Sequence, residues 1–132
     1  MLIAHPLVAA WVALVMVGPA MEDPPRAETY LYRARDVEPA ALESDDRVAV
    51  THDARAWSFQ PADAAATTAL LFFPGGGVEP TAYAPLARTV AARGFAVHVV
   101  NLPARLVAPE AHRRESIARG RAVLDAHPEV GR

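Results

Sequence analysis

The sequence predicts an α/β domain in which a β-hairpin leads into a strand, helix, strand and helix of a mostly parallel sheet. The prediction rests on two buried strands separated by an amphipathic helix, because this succession almost always forms a right-handed parallel crossover. A chain of 132 residues with 52% hydrophobic content and a net charge of -2 is the size of one such domain.

The hairpin is predicted at residues 47–51 and 55–60, which read RVAVT and RAWSFQ. Both runs are short and β-prone. The intervening His52-Asp53-Ala54 is a turn signal, so the two runs are expected to pair.

The two buried strands are predicted at residues 69–73 and 95–100, where continuous apolar runs are typical of strands covered on both faces. Pro85 suits the first turn of the helix between them, and Gly94 suits the position just past its end. The i, i+3, i+4, i+7 spacing predicts that the buried face of this helix consists of Tyr83, Leu86, Ala87 and Val90.

The last helix is predicted at residues 109–126. Ile117 and Leu124 are expected to face the core, and Gly120 between them would allow close packing. Two i, i+4 ion pairs are expected on the exposed side, Glu110 with Arg114 and Glu115 with Arg119.

The N-terminal segment, residues 1–20, is predicted to be a membrane anchor or an export signal. Residues 2–18 are apolar apart from His5, a length near the lower limit of about 17 for a membrane span and above the roughly 7 to 15 of a signal core. A buried core helix or a misassigned start is the alternative. Residues 21–41, with three prolines, are expected to form a linker to a domain at 42–132.

Composition excludes several functions. The 13 basic residues are all Arg and are interspersed with 15 acidic residues, so nucleic acid is not an expected partner. The absence of Cys excludes disulfides, thiolate metal sites and a Cys nucleophile. The five histidines show no ligand spacing, so neither a metal nor a cofactor is predicted.

Three consecutive glycines, Gly75, Gly76 and Gly77, follow the first buried strand. Such a turn lets the backbone approach a ligand closely and aim N–H groups at negative charge, in a dinucleotide site or an oxyanion hole. The dinucleotide fingerprint matches poorly, because Pro80 stands at its third glycine and Asn101 follows the second strand in place of an acidic residue. A Walker A loop is excluded because the chain contains no Lys.

The region from about residue 42 to 130 resembles the first portion of the α/β-hydrolase superfamily, most closely its dienelactone-hydrolase-like bacterial members with an N-terminal membrane segment. The matching stretches are LESDDRVAVT, AWSFQPAD, LLFFPGGGVEPTAYAPLARTVAARGFAVHVVNLP and AHPEV. The resemblance implies a partial α/β-hydrolase fold and, in the complete protein, a small-molecule acyl substrate cleaved by a Ser nucleophile. It also implies that Gly75, Gly76 and Gly77 form the oxyanion loop, with the donor N–H on Gly76 or Gly77, although Pro74 replaces the His of the lipase-type loop.

The resemblance also implies that the catalytic residues lie beyond this chain. Family members continue into another strand, a Gly-x-Ser-x-Gly elbow, an acidic residue and a His, whereas that elbow motif is absent from the 132 residues. The strand at 69–73 would then be an interior strand of the complete sheet. The chain by itself is expected to be inactive, with no identifiable catalytic residue. The alternatives are a non-catalytic membrane-anchored binding module and a nucleotide-binding α/β domain.

The remaining polar candidates are expected to serve structure. No serine lies in a glycine-flanked turn, and His98 alternates with valines on a strand, as a core histidine does. Tyr83 is expected to anchor its helix rather than to line a pocket. The serines are Ser44, Ser58 and Ser116, and the carboxylates expected to be solvated are Glu43, Asp45 and Asp46.

Overall fold

The computed structural model describes residues 33–103 and 109–130. The predicted anchor or signal segment, and the predicted linker before residue 33, lie outside these described residues. Within the two described stretches, no helix has the length and hydropathy that a membrane crossing requires. Residues 33–41 include the start of a 3-10 helix, Pro39–Leu42, and Val37 and Ala41 pack against the domain core.

The predicted hairpin is present. Strand β1 (Val48–His52) pairs antiparallel with β2 (Ala56–Pro61), with Val48 opposite Pro61. The turn is held by the Asp53 carboxylate, which accepts the backbone N–H groups of Arg55 at 2.8 Å and Ala56 at 3.0 Å. Hydrogen bonds from the Arg55 side chain and from these N–H groups lower the pKa of Asp53.

The sheet contains β3 (Ala69–Phe72) and β4 (Ala96–Val100) as well, in the order β1-β2-β4-β3. The predicted crossover is confirmed, because β3 runs parallel to β4 with Ala69 opposite Ala96. The described sheet is mixed, since β2 pairs antiparallel with both β1 and β4. Among the described residues β3 pairs only with β4 and is an edge strand, so the interior position implied for it requires a further strand.

Helix α1 (Ala84–Ala91) covers one face of the sheet, where Phe59, Val97 and Val99 form the core. The predicted buried face of this helix was partly wrong, because Leu86 is 52% exposed. The side of α1 that is buried against the sheet consists of small residues spaced three or four positions apart. Leu86 lies one position, or about 100° of helix rotation, away from this stripe of small residues. The buried residues are Ala84, Ala87 and Ala91.

Helix α2 (Glu110–Asp125) covers the opposite face, and its buried stripe is Ser116, Gly120 and Val123. The close packing expected at Gly120 is present, because a Cβ there would lie 2.9 Å from Leu71 Cδ2. Ile117 was predicted to face inward but is 46% exposed, since it lies one residue off the stripe; Leu124 packs partly buried against the core. The two predicted ion pairs on this helix are both formed.

Candidate functional site

The glycine turn leaves the carboxyl end of β3 and bends back tightly. The Val78 N–H donates to the Gly75 carbonyl at 3.1 Å, which closes the turn. Gly77 is buried and has a φ of 75°, in the left-handed region that glycine adopts without steric cost. The third glycine of the run is therefore required by the backbone path of the turn.

Tyr83 anchors this turn from the 3-10 helix Pro80–Tyr83 that precedes α1. Its hydroxyl accepts the Gly75 N–H at 3.2 Å. Its ring packs on Phe72 at the end of β3, with centroids 4.6 Å apart. Tyr83 thus serves as an anchor, as expected, and it holds the glycine turn as well as the start of the helix.

The N–H groups of Gly76 and Gly77 have no hydrogen-bond acceptor among the described residues. Tyr83 takes the N–H of Gly75, so Gly76 and Gly77 are the members of the glycine run whose N–H groups are not used within the described part of the fold. Backbone N–H groups at such a position are the donors that stabilise a developing oxyanion. Their oxyanion role stays a prediction.

We expect Gly77→Ala to destabilise the domain by about 1–2 kcal/mol, because an L side chain in the left-handed region crowds its own backbone. Gly76→Ala is the matched control, since the φ of Gly76 is not positive, and its cost should be well below that of Gly77→Ala. Urea unfolding of both variants measures the difference. Equal effects at the two positions would contradict a conformational requirement at Gly77.

A cavity of about 300 Å³ lies beside the turn, at the carboxyl ends of β3 and β4. Ligands of open α/β sheets bind at this edge of the sheet. Apolar side chains form much of the wall, and Glu79, Thr81 and Asn101 add polar groups. The apolar members are Trp57, Pro74, Val78, Pro80 and Leu102.

Sequence reasoning missed Glu79, Trp57 and Asn101 as wall residues of this cavity. The Glu79 carboxylate also accepts the Ala34 N–H at 2.7 Å, a contact between residues 45 positions apart. Asn101 could have been found, because it directly follows β4 and so belongs to the same strand edge as the glycines. No sequence signal places Trp57 there, since its approach to the loop depends on the pairing of β2 with β4.

A second polar cluster lies under α2, centred on His98. This side chain is fully buried, as the strand alternation predicted, and its Nδ1 is 2.9 Å from the Ser58 Oγ. Its ring stacks on His127 with centroids 4.5 Å apart, and His127 Nδ1 contacts Gln60 and Glu129. Burial, with a smaller contribution from His127, lowers the pKa of His98 to about 4.

This cluster does not reproduce a catalytic triad. His98 Nε2 is buried without a hydrogen-bond partner among the described residues, so no carboxylate orients the ring from its far side. The other serines make local contacts: Ser44 Oγ accepts the Val50 N–H at 2.8 Å, and Ser116 donates to the His112 carbonyl at 2.7 Å. None of the three serines contacts the glycine turn in these hydrogen bonds.

Among the three acidic residues before β1, Asp45 has a structural role. Its side chain accepts the N–H groups of Arg47 and Val48 at 2.9 and 2.8 Å and pairs with Arg88 of α1. The Val48 and Arg47 N–H groups, followed by Arg88, lower the pKa of Asp45. Glu43 contributes its carbonyl to the same Arg88, so this cluster ties α1 to β1 and lies away from the glycine turn.

Across the described part of the chain, no group of three or more potential metal-ligating side chains is found. Comparison with known families matches residues 69–128 to a model described as the alpha/beta hydrolase family. The match begins at β3, includes the glycine turn and the crossover, and ends after α2. No curated protein and no solved structure matches the chain.

Proposed function

Because residues 69–128 match a model of the alpha/beta hydrolase family, we propose that this chain supplies the oxyanion-loop part of a hydrolase that cleaves esters or related acyl bonds. The observation that carries the proposal is the pair of N–H groups on Gly76 and Gly77, which have no acceptor among the described residues. Pro74 and Val78, which flank the glycine run, line the cavity beside the turn. In this role the two N–H groups would stabilise the negative charge that develops on the acyl oxygen.

A further strand, paired with the edge of β3 that faces away from β4, would complete the site. The free edge of β3 borders a groove of about 540 Å³, to which α2 and the segment after it contribute, and Ala69, Leu71 and Leu124 are among its lining residues. An open strand edge pairs readily with another strand. In this proposal a strand seated there carries the nucleophilic Ser in a Gly-x-Ser-x-Gly turn, close to the glycine N–H groups. The dienelactone-hydrolase-like type remains a finer prediction of the same kind.

The chain alone should not turn over p-nitrophenyl butyrate above the rate in buffer. Gly-x-Ser-x-Gly is absent from the 132 residues, and an oxyanion loop without nucleophile and base retains at best a small residual rate. A spectrophotometric assay of the purified chain tests this, with Ser44→Ala, Ser58→Ala and Ser116→Ala as controls for an unconventional nucleophile. Turnover that any one of these substitutions abolishes would contradict the proposal.

A second test measures ligand binding, because a chain that does not hydrolyse the ester can still bind it. The sequence contains seven glycines, so ¹⁵N-glycine labelling gives a sparse spectrum in which Gly76 and Gly77 can be assigned by substitution. Titration with methyl butyrate should move these two peaks most, and Gly94, beyond the far end of α1, should serve as the unaffected reference. Shifts confined to other glycines, or none, would argue for a binding module unrelated to acyl chemistry.

Membrane attachment or export is proposed for the complete chain, on the strength of residues 2–18 alone. A reporter fused after Pro25 should appear in the membrane fraction if the segment is an anchor, and as a shortened exported product if it is cleaved. Placing two arginines within residues 7–17 should abolish both outcomes, because charges at the centre of such a segment oppose insertion. A full-length reporter in the cytoplasm without these arginines would contradict the proposal.

A further inference from the structure

The free edge of β3, the side that faces away from β4, presents the backbone groups of alternate residues. The Ala96 N–H donates to the Thr68 carbonyl at 3.0 Å, so Thr68 and every second residue after it direct their N–H and C=O groups at β4. The residues between them, Ala69 and Leu71 in β3 and Phe73 just after it, direct these groups at the free edge. No strand of the described ranges pairs there, and such an edge readily accepts another strand.

Both faces of the sheet are apolar along this edge. Leu71 and Phe73 lie on the α2 side, since a Cβ at Gly120 would contact both side chains. Leu70 and Phe72 alternate with them and lie on the α1 side, where Phe72 packs against the core. Leu70 is 43% and Phe73 is 42% exposed. A strand that covers the edge must therefore be apolar on both of its own faces.

We infer that a second copy of this chain covers the free edge of β3, with the two β3 strands antiparallel about a two-fold axis at Leu71. Residues that face the shared edge stand opposite each other in an antiparallel pair, so Leu71 meets its own counterpart and Ala69 meets Phe73 of the second copy. All of these backbone groups then have partners, whereas a shift by two residues leaves Phe73 unpaired. The edge is thus self-complementary, as a two-fold interface requires.

The side chains fit this register. On the α2 side the small Ala69 lies opposite the large ring of Phe73, so the two do not crowd each other. On the α1 side Leu70 lies opposite Phe72 of the second copy. Opposed side chains of paired strands are about 5 Å apart at Cβ, which covers Leu70 and Phe73, and the burial of this apolar surface favours the dimer.

The charges beside the edge also suit a second copy. Arg121 and Asp125 of α2 line the groove at the free edge of β3. Helix α2 runs opposite to β3 and packs with Gly120 against Leu71 and Phe73, so the two-fold axis lies level with about residue 122 of the helix. Arg121 of each copy then lies about 3 Å along the helix from the level of Asp125 of the other. Opposite charges thus approach each other, whatever contacts each also makes within its own chain.

The dimer is inferred for the chain taken alone and does not rest on the proposed function. The two proposals concern the same edge of β3, where a second copy and the further strand exclude each other. The further strand would therefore have to displace the second copy when it pairs with β3.

Disulfide crosslinking of the full chain in a mild detergent tests the dimer, since the sequence contains no Cys. Leu71→Cys places a thiol opposite its own counterpart, at a Cα separation of about 5.5 Å that a disulfide spans. Mild oxidation should convert most of this variant to a covalent dimer. Thr51→Cys is the matched control, because Thr51 is exposed on β1, the strand at the other edge of the sheet; it should stay monomeric.

Two further variants test direction and register without altering Leu71. Ala69→Cys and Phe73→Cys should each stay monomeric when oxidised alone, because each thiol lies about 13 Å along the strands from its own counterpart. Co-expressed, the two variants should form a mixed covalent dimer, which its mass identifies. This pattern, together with the Leu71→Cys dimer, supports the inference.

Any other pattern overturns the inference. Crosslinking of Ala69→Cys or Phe73→Cys alone, at the yield of the mixture, would indicate a parallel or non-specific association. Yields no higher than that of Thr51→Cys in both tests would mean that no second copy lies at this edge. Either result leaves the proposed function intact, because ester binding at the glycine turn is measured separately.

Discussion

Lowering the pH from 7 to about 4 should reduce the free energy of unfolding of this chain by up to about 3 kcal/mol through His98. The imidazole is fully buried and its pKa is about 4 in the fold, whereas an unfolded His titrates near 6.5. Between these values the unfolded chain binds a proton that the folded chain does not. The contribution of neutral His98 is therefore fully present above pH 6.5, is lost as the pH falls towards 4, and changes little below that.

Other titratable groups near His98 also contribute to the pH dependence of stability and must be separated from it. Ser58 and His127 contact the ring directly, and Glu129 contacts His127. The other charged residues that share a cavity wall with His127 are Asp53, Arg55, Arg121 and Asp125. Hydrogen bonds lower the pKa values of Asp45, Asp53 and Glu129. Protonation of these carboxylates therefore destabilises the fold mainly at a lower pH than protonation of His98 does. Urea unfolding at a series of pH values therefore separates the two groups.

His98→Gln should remove the pH dependence between about 6.5 and 4 while leaving the loss at lower pH. The variant will be less stable at neutral pH, but the slope against pH, rather than the absolute stability, identifies the titrating group. His52→Gln is the matched control, since it removes an exposed imidazole from the same sheet. A slope that persists unchanged in His98→Gln would mean that another group is responsible.

Phe59→Ala should destabilise the domain by about 3–5 kcal/mol, enough to unfold a large share of a marginally stable chain. Phe59 is 1% exposed, and it lies opposite Val97 in the register of β2 and β4 beneath α1. Removing the ring leaves a void between the sheet and the helix, and the small alanines of α1 cannot fill it. The fall in urea midpoint of the purified variant measures the cost.

Phe95→Ala tests whether this cost comes from burial. The substitution is chemically identical, but Phe95 is 44% exposed just before β4, so its cost should be about 1 kcal/mol or less. Equal losses of stability in the two variants would mean that the core does not lie between α1 and the sheet.

The sequence was enough to predict the position of the glycine turn and the resemblance to a hydrolase family, whereas the membrane or export role of residues 2–18 stays a prediction. Local signals were enough for the hairpin at Asp53, the positions of the two apolar strands and the crossover, and the family match at 69–128 agrees with them. The predicted burial of the first apolar strand on both faces was wrong for the described residues, because β3 lies at the sheet edge and Leu70 is 43% exposed. The availability of the Gly76 and Gly77 N–H groups could not be derived, because it depends on the Tyr83 hydroxyl accepting the N–H of Gly75 alone.

The sequence by itself determined which segments are strands and helices and where the glycine turn falls, because apolar periodicity, turn residues and helix caps act over a few neighbouring positions. Only the tertiary structure decided which helix residues are buried and which side chains meet. Leu86 and Ile117 were predicted to be buried but are exposed, because small residues on the neighbouring helix face let each helix approach the sheet closely. Glu79 and Trp57 line the same cavity, and His98 stacks on His127, because the strand order brings distant segments of the chain together. That order depends on long-range pairing, which local pattern does not encode.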